Sequence, residues 1–197
     1  MSDNHTMKAI AQLVPTGARV LDLGCGDGAL LEYLQKERGC SGYGVELDDA
    51  KLLACAKRGV NVLQMNLDRG LSIFGDHSFD VVLQIDTFQH LRNAETMLRE
   101  TLRVGRSGII AFPNFAHWGN RLSVMRGRMP VTRRMPYQWY DTPNIRVGTF
   151  KDFEALALKN DLRIRDSFGL LGQKPVRLLP NLRANTAVFH LERKAPL

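Results

Sequence analysis

Three glycines at alternate positions, Gly24, Gly26 and Gly28, follow the apolar run Val20-Leu21-Asp22-Leu23 and lead into a helical pattern. Alternating glycines remove Cβ atoms, so the backbone can take unusual φ/ψ values and a ligand can lie directly against its N–H groups. Leu30, Leu31 and Leu34 then fall at helical spacing, which ends the loop where unpaired N–H groups carry partial positive charge. About twenty residues on, a second apolar run, Ser41-Gly42-Tyr43-Gly44-Val45-Glu46, closes on a carboxylate just before a helix start at Asp48. A carboxylate at the carboxyl end of the neighbouring strand is placed to accept both hydroxyls of a ribose. Loop and Glu46 together imply a nucleoside-containing cofactor. Spacing alone leaves its kind open, because Gly24, Gly26 and Ala29 also satisfy the relaxed G-x-G-x-x-G/A dinucleotide pattern.

Other titratable groups stand near the ends of later apolar runs. Asp86 and His90 follow Val81-Val82-Leu83, and His117 follows Gly108-Ile109-Ile110-Ala111-Phe112. Both places fall at the carboxyl edge, where open α/β sheets bind ligands. No recognisable triad accompanies them, so the three are candidates for acid–base work beside the ordinary reading of loop or helix-start residues. His5, His77 and His190 suggest surface or packing roles. Cys25, Cys40 and Cys55 are odd in number and form no C-x-x-C pair, so they read as free thiols, with neither a disulfide framework nor a metal site. Cys25 sits inside the glycine loop without a matched histidine, which makes it a lining residue before a nucleophile.

Strands and helices in alternation must position these groups. Met7, Ile10, Ala11, Leu13 and Val14 give a short leading helix over 6–14, stopped by Pro15-Thr16-Gly17. A helix over 48–58 takes Asp48 as N-cap and Gly59 as its stop, with Leu52, Leu53 and Cys55 or Ala56 inward. A third strand spans 60–65, and a loop over 67–77 leads to the fourth strand around Val81-Val82-Leu83. Asn93 caps a helix carrying Met97, Leu98, Thr101 and Leu102, which ends near Gly105 before a fifth strand broken by Pro113. Thr149 and Asp152 open a further helix in capping-box fashion, and 162–168 and 186–191 alternate as two last strands. Such alternation demands a mostly parallel sheet with helices on both faces.

At 197 residues, 44% hydrophobic and 24% charged, the chain suits one buried core and is read as a single domain over 1–197. No apolar run approaches the roughly 20 residues that span a bilayer, and Met1-Ser2-Asp3-Asn4-His5 lacks a signal-peptide profile, so a cytoplasmic location is expected. The formal charge of +7 speaks to association and not to fold. Much of it gathers between 115 and 148, where Arg121, Arg126, Arg128, Arg133, Arg134 and Arg146 face a single acid, Asp141. The same stretch holds Pro130, Pro136, Pro143 and both tryptophans, and its rhythm is neither helical nor extended. It reads as an irregular cap over the cofactor cleft.

Asp22, two residues before the first glycine, and Gly28, which makes the pattern G-x-G-x-G, give a string that resembles the first motif of class I S-adenosylmethionine-dependent methyltransferases. That resemblance implies a three-layer α/β/α Rossmann-like fold with a mostly parallel seven-stranded sheet closed by a C-terminal antiparallel pair. A narrower resemblance lies in Met97-Leu98-Arg99-Glu100-Thr101-Leu102-Arg103-Val104-Gly105, in Phe112-Pro113-Asn114-Phe115, and above all in Gly127-Arg128-Met129-Pro130-Val131-Thr132 with Pro136-Tyr137-Gln138-Trp139-Tyr140-Asp141-Thr142-Pro143-Asn144. Nearly the whole chain is similar to the methionine biosynthesis protein MetW family.

The family likeness implies that Asp22, Gly24, Cys25, Gly26 and Gly28 form the cofactor loop, that Glu46 with Leu47 serves the ribose, and that Asn66, Leu67 and Ile85 border the rest of S-adenosylmethionine or its product S-adenosylhomocysteine. Two positions depart from the pattern. Asn66 stands where an aspartate usually accepts from the adenine amino group, which keeps an acceptor and loses the charge. Asp86 replaces an amide within Gln84-Ile85-Asp86-Thr87-Phe88-Gln89-His90, which changes what sits beside the methyl group. The likeness further implies a role in methionine synthesis, supporting a homoserine O-acyltransferase partner, and a chain that is either a methyltransferase or a non-catalytic partner.

Asn114, Arg128, Arg133, Arg134, Tyr137, Trp139 and Tyr140 are the substrate- or partner-facing candidates. The arginines suit carboxylate or phosphate, and the aromatics suit enclosure of a ligand, a protein interface or anchoring of the cap to the core. Basic residues interleaved with aromatics also leave a nucleic-acid acceptor as the remaining alternative to a small, anionic one.

Overall fold

The computed structural model describes residues 4–194; Met1, Ser2 and Asp3, and the side chains of Asn4 and His5, lie outside the described residues. Val20 to Leu23 belong to β1 (Arg19–Leu23), which passes through the glycine loop into α2 (Ala29–Arg38). The chain then alternates through β2 (Ser41–Glu46), α3 (Asp49–Lys57), β3 (Val62–Gln64), β4 (Phe79–Ile85), α4 (Ala94–Val104) and β5 (Gly105–Pro113). A leading helix α1 (Asn4–Ala11) precedes them, and α5 (Trp118–Met125), α6 (Phe150–Lys159), β6 (Leu162–Leu171), β7 (Lys174–Val176), α7 (Pro180–Arg183) and β8 (Thr186–Arg193) follow.

Local signals explain most boundaries. The Asp48 carboxylate accepts the Lys51 N–H at 3.0 Å to cap α3. Thr149 and Asp152 form the expected box, with the Asp152 N–H donating to the Thr149 hydroxyl at 3.1 Å and that hydroxyl donating to the Asp152 carboxylate at 2.7 Å. Asn93 holds the N-cap position of α4, yet its side chain caps nothing and only its carbonyl receives the Met97 N–H. Leu53, expected inward, is 58% exposed, because α3 lies at the sheet margin and buries Cys55 alone. Within the stretch read as irregular, residues 118–125 are helical, started by the His117 ring accepting the Gly119 N–H.

The sheet order is β3-β2-β1-β4-β5-β8-β6-β7. β1 to β5 run parallel, and β8 enters antiparallel between β5 and β6. The short β7 hairpins onto β6 and adds one strand to the seven expected. Side chains along the buried strands alternate between two cores. Val20, Val81 and Ile109 join α1, α2 and Cys55 of α3 on one face, while Leu21, Val82 and Ile110 join α4 and α6 on the other. Alternation within a continuous apolar run is what a sheet covered on both sides requires. Phe153 and Phe150 of α6 pack on Phe189 of β8, with ring centroids 4.6 Å and 4.5 Å apart, which fastens the antiparallel strand beneath a helix.

Asn114, placed among the substrate contacts from sequence, is instead a buried pin. Its amide N–H groups donate to Ala184 O at 2.8 Å and Asn181 O at 3.0 Å, and its oxygen accepts the Ala116 and Phe150 N–H groups, both at 3.2 Å. At 1% exposure it has no face toward a ligand. It joins the end of β5 to α7 and to the start of α6. Losing it strands several buried backbone groups at once, so Asn114→Ala is expected to cost about 2–4 kcal/mol of stability, read as a lowered urea midpoint with an unchanged slope.

Candidate functional site

Strand order reverses between β1 and β4, and a cleft of about 380 Å³ opens at their carboxyl ends. Asp22, Gly24, Gly26, Lys51, Ile85 and Asp86 are among its walls. The loop is tied to the neighbouring strand by the N–H groups of Gly24 and Cys25, both donating to Val45 O at 2.8 Å and 3.1 Å. Gly24 has φ +75°, and a Cβ there would collide with the Thr87 side chain, so the position demands glycine twice over. Gly26 has φ +60° and nothing within 4 Å of where its Cβ would be, so it borders open space in the cleft. Gly28, at φ +77°, is the N-cap of α2.

Glu46 does more than present a carboxylate. One oxygen accepts the Gly26 N–H at 3.0 Å, and the other accepts the N–H groups of Leu47 at 2.8 Å and Asp48 at 3.1 Å. A carboxylate has about four lone-pair sites, so acceptor capacity remains after the loop is shaped. Lys51 Nζ lies 3.9 Å from Glu46 and also borders the cleft. Sequence reasoning missed this lysine; its place one turn into α3, facing back toward the end of β2, was the only available sign.

Asp86 takes φ +57° and pairs with Arg134 of the cap, Oδ1 to Nη2 at 2.5 Å. His90 turns away from the cleft, with Nδ1 3.1 Å from Pro143 O, and His117 borders a separate cavity under the cap. Neither histidine therefore joins Asp86 as a catalytic set. Asn66 lies exposed after β3, its oxygen occupied in part by the Asp68 N–H at 2.9 Å, and Leu67 packs partly into the core. Leu47 is 57% exposed at the end of β2. Asn66, Leu67 and Leu47 flank the same sheet edge without walling the cleft.

The cap is held at its far end by the Ile145 and Arg146 N–H groups donating to Gln89 O at 3.0 Å and 3.1 Å. Its aromatics do not anchor it. Trp139 and Tyr140 are 70% and 71% exposed and rest edge to face on each other, Tyr137 is half exposed, and Arg128 is also exposed. Beneath the 144–148 strap lies an apolar cavity of about 170 Å³ walled by Phe88, Phe112, Phe153 and Met135.

All three cysteines are buried and free. Burial, with the Asp22 charge adding to it, pushes the Cys25 thiol far above its ordinary range, so it stays protonated and is no nucleophile. Among the described residues no group of three His, Cys, Asp or Glu side chains is placed to hold a metal ion. No helix among them is long and apolar enough to cross a membrane.

Asp22 is 2% exposed, and its carboxylate makes no hydrogen bond to another described residue. Burial first, then the negative charge of Glu46, pushes its carboxyl from 3.8 up to about 7. Between those values the folded chain keeps a proton that the unfolded chain has released. Stability therefore falls as pH rises through that window and is constant above it. Asp22→Asn, which cannot ionise, is expected to gain on the wild type by about 2–4 kcal/mol between pH 4 and pH 8. Urea unfolding of both proteins across the range reads the difference, and parallel curves would remove the assigned cause.

Comparison with known proteins gives the same architecture. A bifunctional methionine biosynthesis protein MetXA/MetW of Rhodopirellula baltica is 36% identical over 207 residues, covering 97% of this chain and 33% of that protein. A 2-methyl-6-phytyl-1,4-hydroquinone methyltransferase of Synechocystis is 27% identical over 64% of this chain and 41% of its own length. The chain thus spans a third to two fifths of the length of these curated relatives. Among solved structures, a SAM-dependent methyltransferase of Thermotoga maritima, described as a possible histamine N-methyltransferase, superposes with a TM-score of 0.70 at 20% identity, covering 95% of this chain and 87% of that one. This likeness establishes the fold. The family model described as methionine biosynthesis protein MetW matches residues 4–191, and the chain belongs to that family.

Proposed function

We propose that this chain binds S-adenosylmethionine, or S-adenosylhomocysteine as the demethylated product, and serves methionine biosynthesis by supporting the homoserine O-acyltransferase step. The observation that carries the cofactor assignment is Asp22, a buried carboxylate without a hydrogen bond to another described residue, in the wall of a cleft where Gly26 leaves open space. A ligand with a cationic group recovers the cost of ionising that carboxylate. Glu46 has acceptor capacity left for ribose hydroxyls, the base is assigned to Leu47, Asn66 and Leu67 on the neighbouring sheet edge, and Ile85 at the end of β4 borders the cleft. The cofactor, when bound, supplies an electrophilic methyl group. Holding an acceptor in line needs positioning more than acid–base chemistry.

Support for the partner role comes from the cap. Trp139, Tyr140 and Tyr137 stand exposed among arginines, the residue types that dominate protein interface anchors. The Rhodopirellula relative carries MetXA and MetW in one name, as a pair acting in one pathway would. The catalytic reading is favoured by a different observation, the apolar cavity beneath the 144–148 strap, which suits a small-molecule acceptor. A nucleic-acid acceptor has less support, since Arg134 is taken up by Asp86.

Calorimetric titration with S-adenosylmethionine and S-adenosylhomocysteine tests the cofactor assignment. Saturable binding, at least tenfold weaker in Glu46→Ala, is expected; no heat at millimolar ligand would overturn it. Because the Asp22 carboxyl titrates at about 7, affinity for the cationic ligand should rise up to about tenfold from pH 6 to pH 8, and Asp22→Asn should flatten the profile. Trp139→Ala with Tyr140→Ala should abolish stimulation of homoserine O-acyltransferase while leaving cofactor affinity within twofold. Retained stimulation would direct attention to methyl transfer instead.

A further inference from the structure

A separate polar cavity, of about 240 Å³, lies under the cap and has Arg134 among its walls. Thr6 of α1, His117 and Asn120 at the start of α5, Arg134 of the cap, and Asn185 with Thr186 at the start of β8 border it. Asn120 and Thr186 are 3% and 2% exposed, so its floor is made of buried polar side chains and not of solvated ones. No carboxylate is among its described lining residues.

Two donors on residues that border it have no acceptor among the described residues. The His117 ring accepts the Gly119 N–H at Nδ1, which places the ring proton on Nε2. That Nε2 is buried and makes no hydrogen bond to the protein. Arg134 spends Nη2 on Asp86, while its Nε–H is likewise buried and unpaired. Unmade bonds from buried donors cost free energy that a ligand oxygen would return, more so where the donor is a cation. A hydroxyl would satisfy one such donor. An oxyanion satisfies two, and no carboxylate among the described lining residues repels it.

We propose that this cavity binds a small oxyanion, a carboxylate or a phosphate monoester, through the Nε2–H of His117 and the Nε–H of Arg134. Its volume falls below the roughly 300–1,000 Å³ of pockets that hold drug-sized molecules, so the ligand is a compact metabolite. Arg134 is shared between the two sites, because its other end holds Asp86 in the wall of the cofactor cleft. The oxyanion thereby sits one ion pair away from the cleft, as a methyl acceptor or an effector would. That role rests on the proposed cofactor function; the binding does not, since it involves no cofactor atom.

The test uses the full chain without cofactor, at ionic strength held constant with sodium chloride, titrated with acetate, succinate and inorganic phosphate. Calorimetry gives affinity, and the imidazole nitrogen resonances of His117 report the contact. Saturable binding with a shift at Nε2 is expected for the carboxylates or for phosphate, and which of them binds identifies the source of the oxyanion. His117→Asn keeps an oxygen to cap α5 and removes the Nε2 donor. Arg134→Met combined with Asp86→Asn removes the guanidinium without leaving its carboxylate unpaired. Each should weaken oxyanion binding at least tenfold with an unchanged circular dichroism spectrum, while S-adenosylhomocysteine affinity of His117→Asn stays within twofold. Absence of saturable binding for all three probes, or binding equally tight in both variants, would overturn the proposal. Loss of S-adenosylhomocysteine binding alone would instead count against the cofactor assignment.

Discussion

The three backbone N–H groups that converge on Glu46 are the interaction on which the site depends. Gly26 comes from the loop after β1, and Leu47 and Asp48 come from the turn after β2. One carboxylate therefore fixes the relative position of two strand ends that meet only through the parallel ladder. Bonds to an ionised acceptor are stronger than neutral ones, and multiple N–H donors lock its orientation. With the loop held from that side, its N–H groups tied to Val45 O and the Cys55 thiol donating to Gly26 O, the positive φ values at Gly24 and Gly26 are maintained. The cleft is shaped before anything binds in it.

Charge is divided in space. The chain carries +7 overall, and its cap arginines face outward or bridge to the cleft, while Asp22, Glu46 and Asp86 gather at the carboxyl edge of the sheet. Parallel strands ending beside helix N-termini bring partial positive charge to that edge, which makes carboxylates tolerable there. Asp22 receives least of this relief, being buried and repelled by the charge of Glu46, and so holds its proton to near neutral pH. Asp86 finds its counter-charge in Arg134, from a segment 48 residues away in sequence.

The cap is fastened by polar pins and not by its large side chains. Asn114 holds its entry, Gln89 O holds its exit, and Arg134 ties its middle to β4. Buried hydrogen bonds of this kind specify one geometry where apolar packing would allow several. The arrangement releases Trp139 and Tyr140 from core duty and leaves them at the surface, which is why the cap is read as a surface for recognition. It also leaves two spaces beneath it, one apolar and one polar.

Local sequence determined what local forces decide. Strand-loop-helix order, the Asp48 and Thr149 caps, the glycine loop and the parallel sheet all follow from periodicity, turn chemistry and crossover handedness, which act within a few residues or one βαβ unit. The cap sequence 127–144 carried the family likeness. Tertiary structure decided the rest, because the deciding contacts join residues far apart in the chain. Nothing near Asn114 says that its amide will meet carbonyls at 181 and 184, nor that His90 will face Pro143. Leu53 looked inward by helical spacing, but exposure depends on how far the sheet extends over α3. The pairing of Asp86 with Arg134, the pH at which Asp22 ionises and the two unpaired donors beneath the cap arise from packing and desolvation, which a single sequence does not display.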